Sequence, residues 1–259
     1  MPRDRCVAIS LNLTWSAKWA YEIYRGIYRY AREVGCWRCV IDEFPQTSLP
    51  DRRGAKRVYD GIIARASFPL TRKARRLGIP LVNTWFSSPV RRVPSVFPDF
   101  RSAGRLQAEH LLSRGFRRFL YFVAGMDAHQ QLEGGGFIRC VEQAGFRCDV
   151  MLHPASWGGD VRKWVRMRKA MNTLLDSVQP PAAVYTEYPV VAQSLADLCA
   201  DRGLHVPQDV AIISGFDDPV ICERATPSIT SPDHNFQRVG YEAAGLLDQL
   251  MNGNSPPKE

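Results

Sequence analysis

Seven polar residues stand where apolar runs end: Asp99, Gln131, Glu133, Glu187, Asp217, Asp218 and His234. Carboxylates accept hydrogen bonds from hydroxyls, and nearby Trp and Phe offer flat faces to C–H surface. Together the set suits a polyhydroxylated ligand. Singly, each has a plainer reading, and Asp217-Asp218 reads equally well as the cap of a turn. Asp217, Glu187 and His234 also have the chemistry of general acids and bases, yet no nucleophile is paired with a base. Gly134-Gly135-Gly136 opens a predicted helix without GxGxxG spacing or a downstream acid, so tight packing of a turn explains it better than a dinucleotide. No GxSxG, Walker A or HExxH string occurs. No cofactor is implied.

Seven cysteines, at 6, 36, 39, 140, 148, 199 and 222, form an odd count. Without a signal peptide they argue against a disulfide framework. Cys36-Trp37-Arg38-Cys39 has CxxC spacing, but the first Cys follows a helix and the second opens a strand, whereas a reactive thiolate wants a helix N-terminus. The five His supply no further zinc ligands at suitable spacing. Buried structural thiols and no metal are the expectation.

The elements that would position these residues alternate. Apolar runs predict strands at Cys6–Leu11, Cys39–Phe44, Tyr59–Ala66, Ile79–Thr84, Phe119–Ala124, Asp149–His153, Ala183–Thr186 and Val210–Ser214. Between them lies a helix capped by Ser16 and ended by Gly35, on which Ala20, Ile23, Tyr24, Ile27 and Ala31 share a face. A polar helix near Arg52 follows, then helices at Leu70–Leu77, Ser102–Ser113, Glu133–Gln143, Val161–Ser177, Val190–Arg202 and Gln237–Met251. Ser228–Ser231 reads as extended. Two such series predict an α/β chain of two doubly wound parallel-sheet lobes, with ligands at the carboxyl ends of the strands.

The chain has 259 residues and a net charge of +8, and 28 of its 34 basic residues are Arg. They are spread along its length, so the charge speaks of solubility and steering, not of a helix that reads bases. No apolar run approaches the roughly 20 residues of a membrane span, and no apolar leader follows Met1. A cytoplasmic protein is expected.

Three strings then resemble the effector-binding core of the LacI/GalR repressors, which shares its fold with periplasmic sugar-binding proteins. They are DFRSAGRLQAEHLL from Asp99, GLHVPQDVAIISGFDD from Gly203 and PSITSPDHNF from Pro227. The resemblance implies a periplasmic-binding-protein-like type I fold with three crossovers, one lobe being 1–99 plus 235–259 and the other 100–234. Only five residues precede Cys6, and this order is similar to the xylose-responsive activators of the AraC family. It implies an AraC-type DNA-binding domain after 259. By position, Asp99 matches an acid at the first crossover, and Asp217 matches the ligand-contacting Asp of the G-(Y/F)-D-D turn. Thr186-Glu187 replaces the usual Asn-Asp pair, and His234 stands where Gln is common. Gln131 falls where LacI-type proteins place a ligand-binding Arg, which argues against a carboxylate or phosphate ligand. Trp15 and Trp19 lie where a ring could stack, with a core or dimer-face role as the alternative.

The resemblance implies the sensor of a transcription regulator, closing on a monosaccharide or derivative and signalling to attached DNA-binding domains. A homodimer is expected, with the Ala17–Tyr30 helix contributing. An exported solute receptor is opposed by the missing leader and the cysteines, and an enzyme by the lack of a paired nucleophile.

Overall fold

A computed structural model of the chain describes residues 4–14, 18–51, 54, 56, 58–124, 127–153 and 160–256. Trp15, Ser16 and Arg52 lie outside the described residues, and with them the expected Trp15 contact, the Ser16 cap and the immediate surroundings of Arg52. The chain divides into two units, Met1–Pro98 with Asn235–Glu259, and Asp99–His234. It passes from one to the other after Pro98 and returns after His234.

The first unit contains β1 (Arg5–Ser10), α1 (Lys18–Val34), β2 (Trp37–Ile41), α2 (Pro45–Ser48), β3 (Gly61–Ala64), α3 (Phe68–Leu77) and β4 (Leu81–Asn83). Its sheet is parallel, in the order β2-β1-β3-β4. Successive side chains of a strand point to opposite faces. Val7 and Ile9 therefore join one core with Ile23 and Ile27, while Ala8 joins another with Leu70 and Ala74. The polar helix expected near Arg52 is seen earlier, as the single turn of α2, because Pro45 presets a helical first position.

The second unit runs α4 (Phe100–Ser113), β5 (Phe119–Val123), α5 (Ala128–Gln143), β6 (Cys148–Leu152), α6 (Val161–Ser177), β7 (Ala182–Thr186), α7 (Pro189–Asp201), β8 (Val210–Ser214) and α8 (Pro219–Cys222). Its sheet is again parallel, in the order β6-β5-β7-β8. Phe119 and Tyr121 pack with Phe137 on one face, and Phe122 packs with Met171 and Leu195 on the other. The chain then returns to the first unit as α9 (Phe236–Met251), whose Val239, Ala243 and Leu247 bury against the Val7–Ile23 core.

Several expectations are corrected. The glycine run does not open a helix: α5 begins at Ala128 behind an Asp127–Gln130 capping box, so the run lies mid-helix. There it serves close approach, since a Cβ on Gly134 would fall 2.5 Å from the Tyr121 ring and one on Gly136 would fall 2.3 Å from the Arg101 carbonyl. Cys39 sits in the middle of β2 and does not open it, because pairing with β1 begins at Trp37. Of the seven thiols only Cys199 and Cys222 are fully buried, and the others are half-buried. Burial still pushes Cys39 and Cys199 up to about 11 and Cys148 up to about 12, which keeps them protonated and inert.

Candidate functional site

In both units the chemistry gathers where the parallel strands end. The expected carboxylates and histidine belong to the second unit and fall into three sets. Glu187 follows β7 directly, is 1% exposed, and accepts from the Ala124 amide at the end of β5 (2.8 Å). His153, at the end of β6, lies 3.7 Å from the same carboxylate oxygen. Burial lifts the Glu187 carboxyl to about 7, against the opposing pull of the Ala124 N–H. Its second oxygen, Oε2, and the hydroxyl of Thr186 are buried without a hydrogen-bond partner among the described residues. Buried polar atoms are almost always paired, so these two call for a partner beyond the described residues, such as a water or a ligand hydroxyl.

Glu133 and His234 form the second set. Glu133 is held inside α5, where Gln107 donates to it (2.7 Å) and His234 approaches within 3.4 Å. Phe100 and Phe216 flank His234 with ring centroids at 5.6 and 5.3 Å, and Tyr188 stacks on Phe216 at 6.1 Å. Between the Glu133 and Glu187 sets, Tyr121 and Tyr185 stack at 4.8 Å. Burial first, and then the two carboxylates, push both phenols up and keep them neutral donors.

Asp217 makes the third set with Ser231, whose hydroxyl donates to it (3.1 Å). The cap suspected of the Asp217-Asp218 pair belongs to Asp218 alone, which accepts from the Val220 amide and starts α8. The remaining expected residues stand apart. Asp99 is exposed and caps α4, where the hydroxyl and amide of Ser102 donate to it and hold its carboxyl below the usual carboxylate range. Gln131 is exposed on the first turn of α5, whereas its neighbour Gln130 is buried and reaches the Tyr188 hydroxyl (3.4 Å).

In the first unit Trp19 is half-buried on the core beside β1. It covers Arg65, the residue after β3, with the guanidinium carbon 5.5 Å from the Trp19 ring and 4.5 Å from that of Trp85. Arg65 and Trp85 carried no sequence motif. The signal available was an arginine directly behind the apolar run Gly61–Ala64 and a tryptophan two residues behind the strand Leu81–Asn83. Elsewhere a concavity of about 460 Å³ opens on α1 and the start of α9, lined by Arg25, Tyr28, Arg29, Arg32, Glu33 and Gln237. Its Arg25 and Arg29 pair with glutamates of their own helix at 3.1 and 3.0 Å, which makes it a solvated charged face. Among the described residues no three His, Cys, Asp or Glu side chains gather as metal ligands.

Two doubly wound parallel units, threaded by a chain that leaves the first and returns to it, define a two-lobed α/β binding fold. Residues 108–259 match the family described as periplasmic binding protein-like domain, and the chain belongs to that family. In sequence it is 29% identical over 201 residues to the HTH-type transcriptional repressor CytR of Escherichia coli (strain K12), covering 75% of this chain and 57% of that protein. The chain thus spans little more than half the length of this relative. In fold it is similar to the transcriptional regulator CelR in its cellobiose complex (TM-score 0.74, 21% identity, 99% of this chain and 82% of that one). It is similar as well to the xylose-binding transcription activator xylR (TM-score 0.76, 16% identity, 99% and 66%).

Proposed function

We propose that this chain is the effector-sensing core of a transcription regulator, and that its effector is a small polyhydroxylated molecule touching the carboxyl edge of the second unit's sheet. The observation that carries the reading is the end of β7. Glu187 Oε2 and Thr186 Oγ1 are buried without a hydrogen-bond partner among the described residues, and they are set beside the half-buried rings of Tyr188 and Phe216. Hydroxyls of a sugar donate to a carboxylate and exchange hydrogen bonds with a threonine hydroxyl, and an aromatic face packs on its C–H surface. Family membership and a relative named as a transcriptional repressor support the regulatory half of the reading. A sugar complex in a protein of like fold supports the other half.

The regulator is a cytoplasmic homodimer in this reading, and DNA is reached through a separate domain. An AraC-type domain after 259 is not supported, since likeness to the xylose-binding activator is one of fold alone. The LacI-type identity is the better supported of the two. The test is a thermal-shift screen of pentoses, hexoses and disaccharides, together with the acids and phosphates derived from them. A ligand at 100 times its Kd adds about 2.7 kcal/mol of stability. At least one member is expected to raise the melting temperature, and a screen with no response overturns the reading.

A further inference from the structure

Part of the chain's charge gathers on one helix of the second unit. Between Arg162 and Lys169, α6 carries five cations in eight residues: Arg162, Lys163, Arg166, Arg168 and Lys169. Its inner face is fixed, because Met167, Met171, Leu174 and Leu175 are buried in the core with Phe122 and Val184. Outward, two rows run side by side at i, i+4 spacing. One is Val161, Val165 and Lys169, the other Arg162 and Arg166, and all five are exposed. Val161 and Val165 are 73% and 59% exposed, and exposed Arg168 borders them on the far side from the arginine row. Nothing in the fold offsets this charge. Helices α1, α4 and α9 each pair an exposed arginine with a glutamate three or four residues away. In α6 no acid precedes Asp176, whose carboxylate is held by Arg202 (3.2 Å). Asp160, just before the helix, accepts from the Arg162 amide as its cap. No ion pair joins the five cations to any described carboxylate. Arg162 and Lys163 also fall in the first turn, where the helix dipole disfavours positive charge and no acid balances them.

Like charges at i, i+4 and valines left in water each cost free energy, and local rules broken without compensation in the fold point to a role outside it. Arginine clusters recognise acidic motifs through charge-assisted hydrogen bonds. The valine row decides which kind of acidic partner fits. It runs through the middle of the patch, between Arg168 and the Arg162–Arg166 row, so whatever meets the arginines also covers the valines. A phosphate backbone offers nothing apolar there, whereas a polypeptide can set a leucine or an aromatic ring between two carboxylates. We propose that the outer face of α6 is a docking surface for another protein. An acidic, amphipathic segment of that partner lays apolar side chains on Val161 and Val165 and carboxylates on Arg162, Arg166 and Lys169. The surface lies wholly within the second unit and does not rest on the effector reading.

The test is fluorescence anisotropy at physiological salt, with the 259-residue chain titrated into three labelled peptides of equal length. The first is built of Leu-Glu-Glu-Leu repeats, the second replaces every Leu by Ser, and the third replaces every Glu by Lys. The first is expected to bind about tenfold tighter than the second, through its apolar contact, and the third is expected not to bind. Arg162→Glu combined with Arg166→Glu is expected to weaken the first peptide by about 10- to 100-fold and to capture the third, because the charge pattern is reversed. Val165→Ser keeps the charge and removes the apolar contact, so the first peptide should fall close to the second. A short DNA duplex is expected to bind more weakly than the first peptide and without dependence on Val165. Melting temperatures show which variants fold, and if the double variant does not, Val165→Ser and Arg166→Gln decide. A first peptide that does not bind, or that binds no tighter than the second, overturns the inference. So does a folded charge-reversed or Val165→Ser variant that binds the first peptide as wild type does. A duplex held more tightly than the first peptide, and released by the double variant, makes the face a nucleic-acid contact and overturns it too.

Discussion

Glu187 keeps a carboxyl with a folded-state pKa of about 7 inside the second unit, against an ordinary value of 4.5. An acid whose pKa is raised on folding contributes fully below its unfolded value, and that contribution is lost as pH rises through the folded one. Stability should therefore fall between about pH 4.5 and 7 and level off above. A shift of this size corresponds to about 3 kcal/mol. Glu187→Gln keeps an acceptor for the Ala124 amide and removes the ionisation. Its stability relative to wild type should rise by up to ~3 kcal/mol between pH 4.5 and 8, read from melts of both proteins across that range. A difference that does not change with pH would move the cause away from Glu187. Asp217 and Asp218 separate binding from folding in the same way. Asp217→Asn keeps an acceptor for Ser231 but loses the charge, so effector affinity should drop by roughly 10- to 150-fold at a nearly constant melting temperature. Asp218→Ala removes the cap of α8 and should cost about 1 kcal/mol of stability while binding is retained. If the two variants exchange these behaviours in paired melting and calorimetry, Asp217 leaves the site.

At the scale of elements, α9 joins the first unit through close backbone approach to α1. A Cβ on Gly240 would lie 1.9 Å from the Ile23 carbonyl oxygen, a contact only a shift of one helix relieves. Gly240→Ala gains up to ~1 kcal/mol of helix propensity yet overpacks the contact. It should destabilise the chain by a net ~2 kcal/mol in urea unfolding, and a stabilised variant would mean that the helices separate freely. The elements themselves were legible, because buried parallel strands read as short apolar runs and the helices between them carry a 3.6-residue stripe. The site was legible only in part. Glu187 and Asp217 end apolar runs and lie where that predicts. Asp99 ends one too, but Asp99 followed by Ser102 is also a capping pattern, and spacing alone does not separate the two. Gln131 and Gln130 sit together on a first turn whose rotation depends on where α5 starts, and the capping box at Asp127 moved that start five residues ahead of the expected one. Arg65 with Trp85, and Glu133 with Gln107 and His234, are joined by tertiary packing across separations that no local pattern encodes.

The whole molecule carries +8 with its arginines dispersed, so the 259-residue chain should associate with DNA without sequence preference and release it as salt rises. Tight, sequence-selective binding at physiological salt, measured by fluorescence anisotropy, would contradict the assignment of DNA reading to another domain. The same surface bears on self-association. Of the five aromatics on α1, Trp19, Tyr24 and Tyr30 pack on the first unit's core, whereas Tyr21 and Tyr28 are 46% and 49% exposed. Tyr24 and Tyr28 stack with ring centroids 6.2 Å apart, which presents a rigid aromatic strip beside Arg25 and Arg29. Regulators that read paired half-sites act as dimers, and rigid aromatics with arginine are the residue types enriched at interface centres. The chain should therefore dimerise, and Tyr28→Glu should raise the dissociation constant at least tenfold in sedimentation equilibrium without lowering the melting temperature of the monomer. The substitution sets a carboxylate within reach of Arg25 and Arg29, so the folded monomer tolerates it while a desolvated interface does not. A wild-type chain that stays monomeric at high micromolar concentration, or a Tyr28→Glu variant that dimerises as wild type does, would remove α1 from the dimer contact.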